Sequence, residues 1–301
     1  MGSMSTPLPH SATQVPDGTK PESRGKRFAR GGAQAQLLAA RYCRPYADVW
    51  RRHLAWQTVG RVMDGSGGGR GWSALRSQVS SKRRALPLAG RGRPAPQGPC
   101  PADLLSAVGA WGRALIPAGA TVVLLDDGEC AGTARQATRQ VAGWSYVGRT
   151  AMRTTAAWAG TPLRRDTLGA WLTPGRLLER KHGHGTREVE GPMMVRCGGA
   201  KGEQEPLYVV RQMAPAEAAC RWYEKRFRRA TLCADQKSRG CHIPKAPMAE
   251  AQRLARLCMV AGCAYIWGMY CGSVCAKEQW WPIVHRRQRC DLSLFQLGIR
   301  L

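Results

Sequence analysis

The stretch from Thr121 to Asp127, TVVLLDD, limits the fold more than any other part of this chain. Its β-branched and aliphatic run suits a strand buried on both faces, and two acids close it. Upstream, ADLLSAVGAWGRALI (Ala102 to Ile116) carries apolar residues at helical spacing and should pack on a sheet. A helix is expected from Thr133 to Ala142 and a further strand in GWSYVGR (Gly143 to Arg149). Strand, helix and strand in that order imply a parallel pair, hence an α/β protein. Asp127 then stands at the carboxyl end of its strand, where α/β sites form. The plainer reading of such an acid is a helix N-cap.

The second informative stretch is APAEAACRWYEKRFRRATLCADQKSRG, which has no Gly or Pro between Pro215 and Gly240. Its Ala, Arg, Lys, Glu and Leu content predicts one long helix, started near Pro215 and stopped near Gly240. At about 100° per residue, positions 223, 226, 230 and 237 fall within roughly 60° of one another. One face thus carries the Tyr223 phenol, the Arg226 guanidinium, the Ala230 methyl and the Lys237 ammonium. The three polar groups suit phosphate binding or the ordering of a carboxylate.

The spacing Tyr-x2-Arg-x3-Ala-x6-Lys resembles the Y-x2-R-x3-E-x6-K signature of insertion-sequence transposases with an Asp-Asp-Glu catalytic core. DQKSRGCHI (Asp235 to Ile243), LLDDGE (Leu124 to Glu129), GWSYVGRTA (Gly143 to Ala151) and the tail RCDLSLFQLGIRL (Arg289 to Leu301) also resemble that family. The likeness spans most of the chain from about Arg61 onward. It implies a ribonuclease-H-like mixed sheet flanked by helices and interrupted by a β-rich insertion. The expected layout is a disordered basic arm over 1–40, the first part of the core over 41–150, the insertion over 151–214 and C-terminal helices over 215–301.

The same resemblance implies the chemistry. The first catalytic Asp of the family is followed by Gly-Ser, and Asp64-Gly65-Ser66 is the upstream match. A short strand is expected to end at Asp64, with Gly67 to Gly69 as a flexible loop. Asp64 and Asp127 would hold Mg²⁺ or Mn²⁺ in a two-metal site, while Tyr223, Arg226 and Lys237 would contact DNA phosphates. Ala230 occupies the place of the catalytic Glu, and a methyl ligates nothing. Glu224 and Asp235 lie about 120° and 140° around the helix from position 230, so neither replaces it. The expectation is a transposase by descent with impaired strand cleavage. Its partners would be double-stranded DNA, at element ends and target, and a second copy in the DNA complex.

Charge agrees with a polyanionic partner: the formal net charge is +26 over 301 residues. A non-catalytic basic DNA-binding protein is the competing reading. The 12 cysteines are scattered and form no Cys-x2-Cys pair, so reduced thiols are expected and zinc is not. His182 and His184 in KHGHG have the chemistry to ligate a metal, but flanking glycines favour reading them as an exposed turn. Leu257 to Ala276 runs twenty residues without a charge, long enough on paper to cross a bilayer. Its Gly, Tyr, Trp and Cys content dilutes it, and the resemblance makes it a core helix, so no membrane partner is expected. The chain should be cytoplasmic and nucleoid-associated.

Overall fold

The computed structural model describes residues 18–33, 45, 48–49, 52, 54–69, 71–81, 84–94, 101–126, 143–149, 155–158, 161–164, 167, 177–184, 190–197, 206–211, 215–226, 228–237, 240–245, 250–286 and 288–301. Helix α1 (Pro21–Ala33) falls within the segment expected to be a structureless arm, and it touches the long C-terminal helix. Pro21 at the first helical position, Glu22 in the first turn and Arg30 in the last all complement helix geometry and dipole.

Three antiparallel strands follow: β1 (Thr58–Gly69), β2 (Trp72–Ser81) and β3 (Arg84–Pro94). Helix α2 (Ala102–Leu115) leads to β4 (Thr121–Asp126), and β5 (Ser145–Arg149) lies beside it. The α2 segment stops where Pro117 disfavours helical backbone at Ile116. Strand β4 pairs in parallel with β1, from Thr58 opposite Thr121 to Val62 opposite Leu125, and in parallel with β5. The order β3-β2-β1-β4-β5, with only β2 antiparallel to its neighbours on the β1 side and β4 and β5 parallel to β1, is that of a ribonuclease-H-like core.

Strands β6 (Thr155–Trp158) and β7 (Thr161–Arg164) form a separate pair. Strands β8 (Leu177–His184), β9 (Glu190–Cys197) and β10 (Pro206–Arg211) continue the main sheet, because β10 bonds antiparallel to β5. The chain then returns through α3 (Ala216–Arg226), α4 (Arg228–Lys237), a short 3-10 turn at Ile243–Lys245, α5 (Ala251–Lys277), α6 (Trp281–Val284) and α7 (Leu294–Gly298).

Strand β1 and the segment with His182 and His184 differ from what the sequence led one to expect. Strand β1 does not end at Asp64 but runs on to Gly69, so Gly67 and Gly69 lie in a ladder, not a flexible loop. The antiparallel partner β2 supplies the hydrogen bonds that compensate for missing side chains, and a bulge between Gly67 and Gly69 absorbs the glycines' freedom. The segment expected to form a helix over 215–240 is helical at all its described residues from Ala216–Arg226 (α3) through Arg228–Lys237 (α4); residues 227, 238 and 239 lie outside the described residues. His182 and His184 belong to β8, whose pairing with β9 is irregular between Arg180 and Gly183, and not to a turn. The helix expected at Thr133 to Ala142 lies outside the described residues.

Three apolar clusters hold the layers together. On one face, α2 covers Val59, Met63, Leu75, Val79, Val122 and Leu124 with Leu105 and Val108. On the other, Ala219, Cys220 and Tyr223 of α3 cover Val62, Val123, Leu125 and Val147. The third lies between β2, β3, α4, α5 and α7, with Leu232, Leu254, Tyr265 and Phe295 fully enclosed. Each such Leu or Phe contributes about 1.5–3 kcal/mol of burial. Helix α5 is long and apolar enough to span a bilayer by composition, yet it lies along β3 and receives α7. Gly272 and Gly298 let α5 and α7 meet backbone to backbone, since a Cβ on either would overlap the other helix.

Candidate functional site

The parallel β1–β4 pair sets the geometry. Val62 is the last β1 residue paired with β4, opposite Leu125, and Asp64 lies two positions further along β1. The two-residue period of a strand assigns positions 62 and 64 to the same face, the one covered by α3. Asp64 is also directly opposite Arg76 in the β1–β2 register. Asp127, the expected second acid, lies outside the described residues. Its neighbour Asp126 ends β4, fully buried and opposite Gly148 of β5. Asp126 shares strand parity with Val122 and Leu124, so it belongs to the α2 side and does not take the place expected of Asp127.

The signature helix is divided over the sheet. Segment α3 packs on β1, β4 and β5, whereas α4 packs on β2, β3 and the 3-10 turn. Tyr223 and Arg226 therefore lie over the parallel strands, while positions 230 and 237 belong to the segment over the antiparallel ones. Tyr223 is completely enclosed among Val62, Val123, Leu125 and Ala219. This corrects its expected role: a phenol with no solvent-facing surface does not reach a phosphate in this conformation. Its ring instead supports Arg226, whose guanidinium carbon stands 5.1 Å from the ring centroid. Arg226 retains a thin exposed margin. Lys237, the last residue of α4, is half-buried. Neighbouring contacts fasten α3: Trp222 covers Gly60, Lys225 Nζ lies 3.3 Å from the Trp222 ring centroid, and Ser80 Oγ donates to the Lys225 carbonyl at 3.4 Å.

Beside Asp64 the structure shows a buried polar cluster that the sequence does not announce. The Arg76 guanidinium donates to the Gln236 side chain of α4 and, at 3.3 Å, to Cys258 Sγ of α5. Asp235 and Gln236 are both fully enclosed. Burial pushes the Cys241 thiol from 9.0 up to about 11; Arg76 pulls it back, and Asp235 and Cys258 add to the rise. Burial likewise lifts Tyr265 from 10.0 to about 12, against the pull of Arg84 and with a further push from Asp235. A charge cluster thus lies between the sheet and α4–α5. An isolated Arg inside the β2 segment carries no periodic signal, and Gln236, though within the DQKSRGCHI stretch, is not marked there as a partner of Arg76.

A second buried arginine fixes the opposite layer. Arg61, fully enclosed, donates to Ser77 Oγ at 2.9 Å, to the Gly109 carbonyl at 3.0 Å and to the Val108 carbonyl at 2.9 Å. It also stacks 4.9 Å from the Trp144 ring centroid. Three directed bonds from one rigid fork lock α2 onto β1 and β2 and hold the strand that carries Asp64.

Among the described residues, no group of three His, Cys, Asp or Glu side chains converges as a metal site would require. Position 230 contributes only a methyl, and the cross-strand position facing Asp64 is a guanidinium.

No family model matches the chain, and no curated protein matches it. Among solved structures, a variant of the human endonuclease V catalytic domain aligns with a TM-score of 0.34 at 16% identity, covering 60% of this chain and 82% of that one. A crystal structure of human ENDOV aligns at the same TM-score with 12% identity, covering 67% and 97%. Overlap and identity of this size assign the chain to no family.

Proposed function

We propose that this chain is a DNA-binding protein of the strand-transferring transposase type whose cleavage chemistry is impaired at position 230. The observation that carries the reading is the placement of Asp64. It lies on the central strand, beside the acidic end of a parallel neighbour, on the face crossed by the segments bearing Tyr223, Arg226, Ala230 and Lys237. A net charge of +26 supplies the attraction for a polyanion.

In this reading Asp64 and Asp127 hold a divalent cation, Mg²⁺ or Mn²⁺, which when bound would polarise a phosphate and activate the attacking oxygen. Ala230 withholds the third carboxylate, so the ion is held weakly. Arg226, propped by Tyr223, and Lys237 engage phosphate oxygens, the first through its fork and the second as a point charge. A second copy in the DNA complex and a nucleoid-associated location belong to the same reading. The alternative, a basic DNA-binding protein with no cleavage at all, is favoured by the missing third acid alone.

Binding of duplex DNA measured over a range of salt tests the reading. Affinity should fall linearly in log–log form as salt rises, and Lys237→Ala should lower the slope by about one counterion. A chain that binds no DNA at low salt would exclude both forms of the proposal.

A further inference from the structure

Helix α5 is apolar on both of its faces, and the fold covers only one. Leu254, Cys258, Ala261 and Tyr265 pack inward toward β2, β3 and α7. On the outward side Val260, Trp267 and Tyr270 are 57%, 59% and 60% exposed, within a run from Leu257 to Ala276 that holds no charge. Helix α1 touches α5 and still leaves these three side chains open. The Trp267 and Tyr270 rings rest on one another with centroids 5.6 Å apart. Paired in this way they form a plate with little rotational freedom left to lose on docking.

The order of residues along this face indicates what would cover it. Positions 256, 260, 263, 267, 270 and 274 follow the alternating four- and three-residue steps of a seam between two helices. The face is also balanced about Trp267: Cys263 and Cys271 lie four residues to either side, Val260 and Val274 seven, and Arg256 and Glu278 eleven. At about 100° per residue, all six stay within roughly 40° of Trp267. A two-fold axis at Trp267 therefore sets this face against its own copy in antiparallel sense. It puts Val260 opposite Val274, Cys263 opposite Cys271, and Arg256 opposite Glu278 at both ends. Both charged groups are at the surface: Arg256 bonds to the exposed Gln252 side chain, and the Glu278 side chain is 49% exposed. A parallel pairing would instead oppose Arg256 to Arg256. We propose that the outward face of α5 is a homodimer interface, with two copies meeting antiparallel and Trp267 on the axis.

The area fits a reversible dimer. Roughly 500 Å² per copy, about 1,000 Å² for the pair, lies at the lower bound for a specific interface. A lipid surface suits the face less well. Helices that lie on membranes line their polar side with Lys and Arg. Here the run beside the stripe carries no charge, and Glu278 at its end would be repelled by anionic headgroups.

This interface stands apart from the DNA-binding reading, and its test uses the full chain without DNA. Sedimentation equilibrium of the parent should give a monomer–dimer equilibrium with a dissociation constant roughly in the micromolar range. Trp267→Asp should raise that constant at least about tenfold, and Val260→Asp on the same face should act in the same direction. Arg256→Glu should raise it about threefold or more, because it opposes two anions at each end. Adding Glu278→Arg to Arg256→Glu should restore the parental value, since the two charges then exchange places across the axis. These side chains are at the surface, so the melting temperatures of dilute samples should stay near that of the parent. A parent that remains monomeric up to about 100 µM, a constant unmoved by both Trp267→Asp and Val260→Asp, or a charge exchange that leaves the Arg256→Glu defect in place would overturn the proposal. So would a monomeric parent that sediments with phosphatidylserine vesicles, which would give the face to lipid.

Discussion

Asp64 and Arg76 face one another across the β1–β2 ladder, and the Arg76 guanidinium is bonded to Gln236 of α4. The strand position assigned to a catalytic acid is thereby linked, through one cross-strand neighbour, to the helix that carries position 230. This geometry makes Arg76 the tie between the sheet and the signature segment.

Removing that tie should be costly. Arg76→Ala leaves Gln236 enclosed without its donor and empties a buried volume, so unfolding free energy should drop by about 2–4 kcal/mol in urea titrations. Arg76→Lys should recover little, because an ammonium cannot reach Gln236 and Cys258 with one fixed fork. Full recovery by lysine would mean that charge alone, and not the fork, holds α4.

Gly112→Ala should show an inverted sign. In an exposed helix interior the change stabilises by about 1 kcal/mol. Here a Cβ at position 112 would overlap the Arg61 guanidinium and press on Ser77 Oγ. The bonds to Ser77, Val108 and Gly109 would break inside the core, for a net loss of about 2–3 kcal/mol. Thermal melting gives the sign, and a change in Trp144 emission reports movement of the stacked guanidinium.

Much of this fold was legible because its strongest signals are apolar. Val122 to Leu125 are enclosed on both faces, and the run that encodes this also fixed β4 and its parallel partner β5. Polar burial was not legible. Tyr223 reads as a phosphate ligand by resemblance, yet with Ala219 it forms the stripe of α3 that faces the sheet, and that stripe is the core. The glycines of β1 read as a loop because strand propensity ignores the partner that β2 provides. Arg61 and Arg76 have neither period nor motif to mark them, and the DQKSRGCHI likeness that includes Gln236 does not announce its bond to Arg76, since these partners lie far along the chain.

Alkaline pH should weaken the fold. Cys241 and Tyr265 have folded-state values raised to about 11 and about 12, above 9.0 and 10.0. A raised value means the folded chain holds its proton more tightly than the unfolded one. Stability is therefore complete below pH 9.0 and is lost as pH climbs through about 11 and then about 12. A shift of this size is worth roughly 2–3 kcal/mol for each group. Cys241→Ala should flatten the first part of the decline when unfolding is followed between these limits. An unchanged decline in that variant would assign the pH dependence to other groups.

The most direct test of the account is nicking of supercoiled DNA with Mg²⁺ or Mn²⁺ by the parent chain, by Ala230→Glu, and by Ala230→Glu combined with Asp64→Asn. The account predicts binding without appreciable nicking by the parent, metal-dependent nicking raised at least about a hundredfold by Ala230→Glu, and its loss again with Asp64→Asn. Equal nicking by the parent and Ala230→Glu, or nicking that survives Asp64→Asn, would contradict it.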